Sequence, residues 1–344
     1  MPYFVSFAYY EKHTPRHQEN LRFFLQEGVQ RFAHSTAAAV ALTINGECDV
    51  PLPAETEHFR VYTRPNAGYD FGAHTHALQQ TLQHYKVTSL TDLPFRAYIF
   101  LNTSQRGPFL PAYWDDSIHW GAVFRQGLTK AGIVGASHFF HSQTRRPVVE
   151  SWAFALRPDA MQYVWDQHDI FTSHSTKALA QAAENRLTDH VVQAGLGYAS
   201  LLLKFQCNPH QTNRFRIPSR PGEYEGINPS PLEMVFYKTY WDSALPNENG
   251  YECPIEQRYT QWLFREPECH RKLHAATAAT AATAATATTA TATTQTEETL
   301  VPAAVPPPPH PPRVATVTVA LWGVILFCAA LGWSWALWLR FRPK

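Results

Sequence analysis

From Val314 to Leu339 no residue carries a charge. At about 1.5 Å of rise per residue, a helix over that run exceeds the roughly 30 Å of hydrocarbon in a bilayer. The run predicts a single transmembrane helix and removes this segment from any water-soluble core. Trp333, Trp335 and Trp338 gather at one end of it, where indole rings favour the interface. The residues after it, Arg340 to Lys344, are a basic tail rather than the hydrophobic end of a glycolipid-anchor signal.

Ahead of the span, every residue from Ala275 to Thr294 is alanine or threonine, and prolines cluster from Pro306 to Pro312. Such a composition has nothing with which to build a core. Residues 266–313 are therefore expected to be a disordered linker, or a stalk of the kind that carries O-linked glycans. Arg340, Arg342 and Lys344 follow the span while only Arg313 immediately precedes it, which favours a cytosolic tail and a lumenal domain in the endoplasmic reticulum or Golgi. Against this, Met1 to Tyr10 reads as a strand and not as a secretory signal. The orientation stays open between a lumenal domain with a leader ahead of Met1 and a tail-anchored cytosolic one.

Residues 1–265 remain for folding, a length that buries a substantial core without disulfides or metals. Lysine plus arginine total 29 and aspartate plus glutamate 28, so the chain has no excess field for a polyanion and nucleic acid is not an expected partner. The five cysteines form no CxxC pair, which argues against a zinc site. Cys253 and Cys269 fit either a disulfide or two thiols.

Within this region, apolar runs alternate with helical spacing. Tyr3 to Tyr10, Ala37 to Ile44, Phe59 to Thr63 and Ala97 to Leu101 read as strands, and Asn20 to Phe32 and His74 to Tyr85 as helices. Further on, Pro147 to Leu156 reads as one strand, Glu184 opens a helical run, and Asn228 to Trp241 holds a strand or helix. The alternation implies an α/β fold with a mostly parallel sheet flanked by helices. In such sheets ligands sit beyond the C-terminal strand ends, which directs attention to the loops after Thr63 and Leu101.

The first loop holds Arg64, Asn66, Gly68, Asp70 and Gly72 ahead of a helix. Its glycines permit tight backbone paths, Arg64 suits a diphosphate, and Asp70 either accepts from a sugar hydroxyl or caps the helix. The second holds Asn102, Thr103 and Ser104, either a binding element or a turn stabilised by its own side chains. Asn102 is also an N-x-S sequon in form, though a strand end facing a cleft disfavours glycosylation. Lys238 suits either a phosphate or the solvent, and Asp115 and Asp116 read as surface aspartates. His74 and His76, and His138 and His141, have metal-compatible spacings without a converging acidic partner, so no metal ligand is assigned.

Arg64-x-Asn66-x-Gly68-x-Asp70, then a helix, then the apolar strand ending in Tyr98-Ile-Phe-Leu-Asn102-Thr-Ser104, resembles the family 2 nucleotide-sugar glycosyltransferases and their rhamnan-synthesis-like relatives. The resemblance runs from about Tyr3 to Trp241. It implies an A-type nucleotide-sugar-binding fold, a nucleotide sugar as donor and a glycan or glycoprotein as acceptor. Arg64, Asn66, Gly68, Asp70, Asn102 and Ser104 would then bind the donor. Family members hold a divalent metal, Mn or Mg, on an acidic element at the second loop; here Asn102 and Ser104 stand in its place. By position Glu184 is implied as the general base, with Asp189 in reserve. Two other expectations fit the same residues: a binding protein of this fold without catalysis, and a tail-anchored cytosolic adaptor.

Overall fold

The computed structural model describes residues 2–11, 15–207, 216–239 and 254–265, all within a compact unit, Met1–Leu273. Residues 266–313, the span at 314–339 and the tail at 340–344 lie outside the described residues. Among the described residues no helix is long and apolar enough to cross a membrane.

In chain order the strands are β1 (Tyr3–Tyr9), β2 (Ala38–Asn45), β3 (Phe59–Arg64), β4 (Ala97–Asn102), β5 (Gln105–Arg106), β6 (Ile133–Gly135), β7 (His138–Phe140), β8 (Pro147–Val149), β9 (Ala153–Leu156), β10 (Tyr198–Ser200) and β11 (Tyr237–Lys238). The helices are α1 (Pro15–Phe23), α2 (Tyr69–Tyr85), α3 (Ala122–Leu128), α4 (Pro158–Asp166), α5 (Lys177–Gln193), α6 (Leu203–Cys207), α7 (Pro231–Met234) and α8 (Pro254–Arg265). Seven strands form one sheet in the order β10-β6-β9-β4-β1-β2-β3. β1 pairs in parallel with β2 and β4, β2 with β3, and β6 with β10. β9 alone in this sheet runs against its neighbours, β4 and β6. The expected mostly parallel α/β sheet is what forms.

Period-two side-chain alternation divides the central strands between two cores, one on each face. Val5 and Phe7 of β1 and Ile99 and Leu101 of β4 join Leu21 and Phe23 of α1 and Phe124 of α3. Phe4, Tyr98 and Phe100 point the other way, into Leu78 of α2, Val164 of α4 and Leu187 of α5. Burial on both faces explains why β1 and β4 are apolar throughout.

Several boundaries differ from the sequence expectation. The first helix begins at Pro15, and Phe24–Val29 is a wider π-type turn containing Gly28, where an added Cβ would meet the Phe24 ring at 2.8 Å. α2 begins five residues before His74, so Asp70 lies in its first turn. Pro147 to Leu156 is two strands, β8 and β9, parted by Glu150–Trp152, because β8 leaves the main sheet to pair with β7. Glu184 lies in the middle of α5 and does not open it; Thr176 caps that helix by accepting from the Leu179 N–H.

Arg106 of β5 ties α8 to α1. Its guanidinium donates to Asn20 Oδ1 at 2.8 Å, to Glu19 of α1 at 2.8 Å and to the buried Glu256 of α8 at 2.8 Å. Removing one partner of a buried ion pair leaves the other desolvated and unpaired. Glu256→Ala should therefore cost about 2–3 kcal/mol in chemical denaturation, Glu19 holding part of the charge, whereas Asp159→Ala, which breaks the exposed Arg157–Asp159 pair, should change stability by less than about 0.5 kcal/mol.

Candidate functional site

The C-terminal ends of β1, β2, β3 and β4 open into one cleft of about 850 Å³. Tyr10 follows β1, Asn45 ends β2, the 66–70 loop follows β3, and Asn102 to Ser104 close β4. Parallel pairing brings these ends to one edge, so the two loops marked by sequence stand side by side. The polar run Ser173–Ser175 and Lys177 at the start of α5 form another part of the lining, and Lys238 of β11 lies beside the Asn102–Ser104 end of β4.

Backbone geometry fixes the first loop. Gly68 has φ of 79° and Tyr69, unusually for a residue with a side chain, 57°. A Cβ on Gly68 would lie 2.5 Å from Ser173 Oγ and 2.8 Å from Ser173 Cα, so only glycine lets this loop rest on the 173–175 segment. Tyr69, 44% exposed, and Tyr10, 38% exposed, both line the cleft.

The two loops are joined by a hydrogen bond from Asn102 Nδ2 to Asp70 Oδ2 at 2.7 Å. The Asn102 amide oxygen accepts from the Ser104 N–H at 3.0 Å and the Ser104 hydroxyl at 2.7 Å, the side-chain turn that the sequence left as one alternative. Asn102 is 8% exposed, and its amide nitrogen is held by Asp70, which closes the sequon to glycosylation in the folded protein. Burial pushes the Asp70 carboxyl up to about 6; the Asn102 amide and the Lys238 charge oppose that shift and the Glu184 charge adds to it.

Asn66, Gly68, Asp70, Asn102 and Ser104 all line the cleft. Arg64 does not. It lies behind the loop, donating to Asn45 Oδ1 at 3.3 Å and Ser173 Oγ at 3.4 Å, so it braces the walls from outside. Glu184 is also outside the lining: its Oε1 accepts from the Ser151 N–H at 3.0 Å and hydroxyl at 2.9 Å, though its charge is felt by Asp70 and by the buried Glu150. Asp189 pairs with Arg146 of the β7–β8 connection at 2.8 Å and reaches neither the lining nor Asp70. His74, one turn after Asp70, is packed in the core with Nδ1 2.8 Å from Ser6 Oγ, and burial pulls its pKa down to about 3.

Sequence reasoning missed Tyr10, Tyr69, Ser173, His174, Ser175 and Lys177, and left Lys238 undecided. The polar run before the Thr176 cap was visible in the sequence, but only the bridge between Gly68 and His174 shows that it faces the first loop.

A divalent cation bound by protein prefers several carboxylate oxygens. Asn102 and Ser104 supply an amide and a hydroxyl committed to each other, and among the described residues Asp70 is the one acidic residue in the lining. Among the described residues no group of three or more His, Cys, Asp or Glu is placed to hold a metal. The donor set at these loops does not fit the family's metal.

No family model and no curated protein matches the chain. Among solved structures it is similar to a protein assigned as a glucose-1-phosphate thymidylyltransferase from Bacillus anthracis, with a TM-score of 0.33 and 8% identity over 58% of this chain and 86% of that one. It is also similar to a glycosyltransferase involved in the glycosylation of the major capsid of PBCV-1, with a TM-score of 0.32 and 10% identity over 59% and 84%. At such scores neither likeness bears on activity.

A carboxyl whose pKa is raised by folding contributes stability below its unfolded value, and that contribution is lost as pH climbs through the folded value. For Asp70 the interval runs from 3.8 to about 6. Asp70→Asn keeps an acceptor for Asn102 and removes the charge. It should stabilise the protein by about 1–2 kcal/mol near pH 7.5, after discounting for solvent in the cleft, and by nothing measurable near pH 4. Urea unfolding at the two pH values measures this.

Proposed function

We propose that the chain is a glycosyltransferase that binds a nucleotide sugar in the cleft between the Asp70 and Asn102 loops and moves the sugar to a glycan or glycoprotein acceptor. The observation that carries this reading is the convergence of those loops, joined at 2.7 Å, on one cleft of about 850 Å³. That volume falls in the range of sites that bury a ligand of this size. Asp70 is the acceptor for a ribose or sugar hydroxyl, and the backbone at Asn66 and Gly68 follows the donor closely. Tyr10 and Tyr69 offer two exposed aromatic faces to a base or sugar ring.

Glu184 is the base in this reading. One oxygen is fixed by two bonds from Ser151, which orients the other for a proton from the acceptor hydroxyl as that oxygen attacks the anomeric carbon. Asp189, engaged with Arg146, is the weaker choice. The hydrophobic span at 314–339 would tether the domain to an endomembrane, in the endoplasmic reticulum or Golgi, with the domain in the lumen.

One observation favours a second reading, a sugar-nucleotide-binding protein without turnover: Glu184 does not line the cleft. A panel of nucleotide sugars in a thermal-shift assay, followed by transfer assays with the donor that stabilises, separates the two. Transfer should fall by about 100-fold or more in Glu184→Ala with donor affinity unchanged, the usual scale for loss of a general base. Donor binding with no transfer to any glycan acceptor would establish the second reading, and no stabilisation by any nucleotide sugar would remove both.

A further inference from the structure

The cleft loops lack a metal's carboxylates, yet a nucleotide sugar presents a diphosphate there that leaves with extra negative charge. Something of opposite sign has to face it. Strand β11 supplies a candidate from far along the chain. It pairs antiparallel with β5, Lys238 opposite Gln105, and the Thr239 N–H donates to Ser104 O at 2.8 Å. This pairing sets Lys238 directly beside the end of β4, in the lining with Asn102 and Ser104. Lys177 joins the lining at the start of α5, one residue after the Thr176 cap.

Among the described lining residues two lysines, Lys177 and Lys238, accompany one carboxylate, Asp70, whose Oδ2 accepts from Asn102 Nδ2. The Lys238 charge also lowers the pKa of Asp70 and of the buried Glu150 against the effect of burial. Glu150, 3% exposed, accepts from Ser219 Oγ at 2.8 Å through one oxygen, and its other oxygen has no hydrogen-bond partner. Lys238 thus stands beside the loop where the resembling enzymes put a metal.

The geometry points to a diphosphate subsite formed by Lys238 and Lys177, in which lysine charge replaces a divalent cation in holding the leaving group. Lys238 contributes a compact, strongly hydrated point charge with three donors, suited to non-bridging phosphate oxygens. This inference rests on the proposed donor reading and adds to it the means by which the leaving diphosphate is neutralised.

Titration of the full chain with inorganic pyrophosphate and with UDP, by calorimetry in EDTA and again in manganese, tests it. Binding should persist in EDTA and tighten by no more than about twofold with manganese. Lys238→Ala and Lys177→Ala should each weaken it by about tenfold, the scale of one lost charge-assisted contact, and Lys238→Arg should restore it to within about threefold. Lys177 is exposed on a helix start, so Lys177→Ala keeps the test valid if Lys238→Ala fails to fold. Binding that vanishes in EDTA, or that neither alanine variant weakens, would overturn the subsite. Sugar nucleotides that bind only with manganese would refute the lysine subsite and leave the transferase reading standing. Lysine-dependent pyrophosphate binding with no sugar nucleotide bound would do the reverse.

Discussion

Parallel pairing in register is the constraint on which the rest of the molecule depends. Tyr3 lies opposite both Ala38 and Ala97, and Val40 opposite Phe59, so β1, β2, β3 and β4 run together and finish at one edge of the sheet. Each strand end leads into a segment that leaves the seven-stranded sheet. Four such loops at one edge leave a concavity, and a helix layer on each face keeps them from closing over it. The cleft follows from the topology, and the polar residues that line it are those the strand ends carry.

Much of this was legible before any coordinates. The apolar runs at Tyr3 to Tyr10 and Ala97 to Leu101 locate β1 and β4 within a residue because burial on both faces leaves no room for a polar interruption longer than Ser6. Asp70 and Asn102 could be chosen as neighbours because both follow strands of the same sheet. What sequence did not carry was long-range contact. Lys238 reads as an ordinary lysine until β11 is seen to pair with β5, and the Ser173–Ser175 run is anonymous until Gly68 bridges to His174. Pro147 to Leu156 divides for a related reason: Glu150 and Ser151 interrupt its apolar content only briefly, and the partners of β8 and β9, in different sheets, make that interruption a break. Arg64 was chosen for its charge, but its side chain is drawn to Asn45 and Ser173, behind the lining.

The electrostatics of the cleft join these parts. Asp70 is held where burial penalises its charge, and the groups that oppose this are the Asn102 amide and the Lys238 charge. A site that keeps an ionised carboxylate half-buried gives up stability for a hydrogen-bond acceptor at a fixed point, the exchange expected where a hydroxyl must be recognised. The Lys238 charge also lowers the pKa of Glu150, which adjoins Ser151, the residue that donates to Glu184 from the turn between β8 and β9.

The central claim is that loops distant in sequence form one ligand site. Hydrogen exchange of the full chain, with and without a saturating nucleotide sugar, measures this most directly. Protection is expected together in the segments 66–72, 102–104, 173–177 and 237–239, with the amides of β3 and α4 unchanged. Protection confined to one of those segments, or appearing at a different edge of the sheet, would contradict the account.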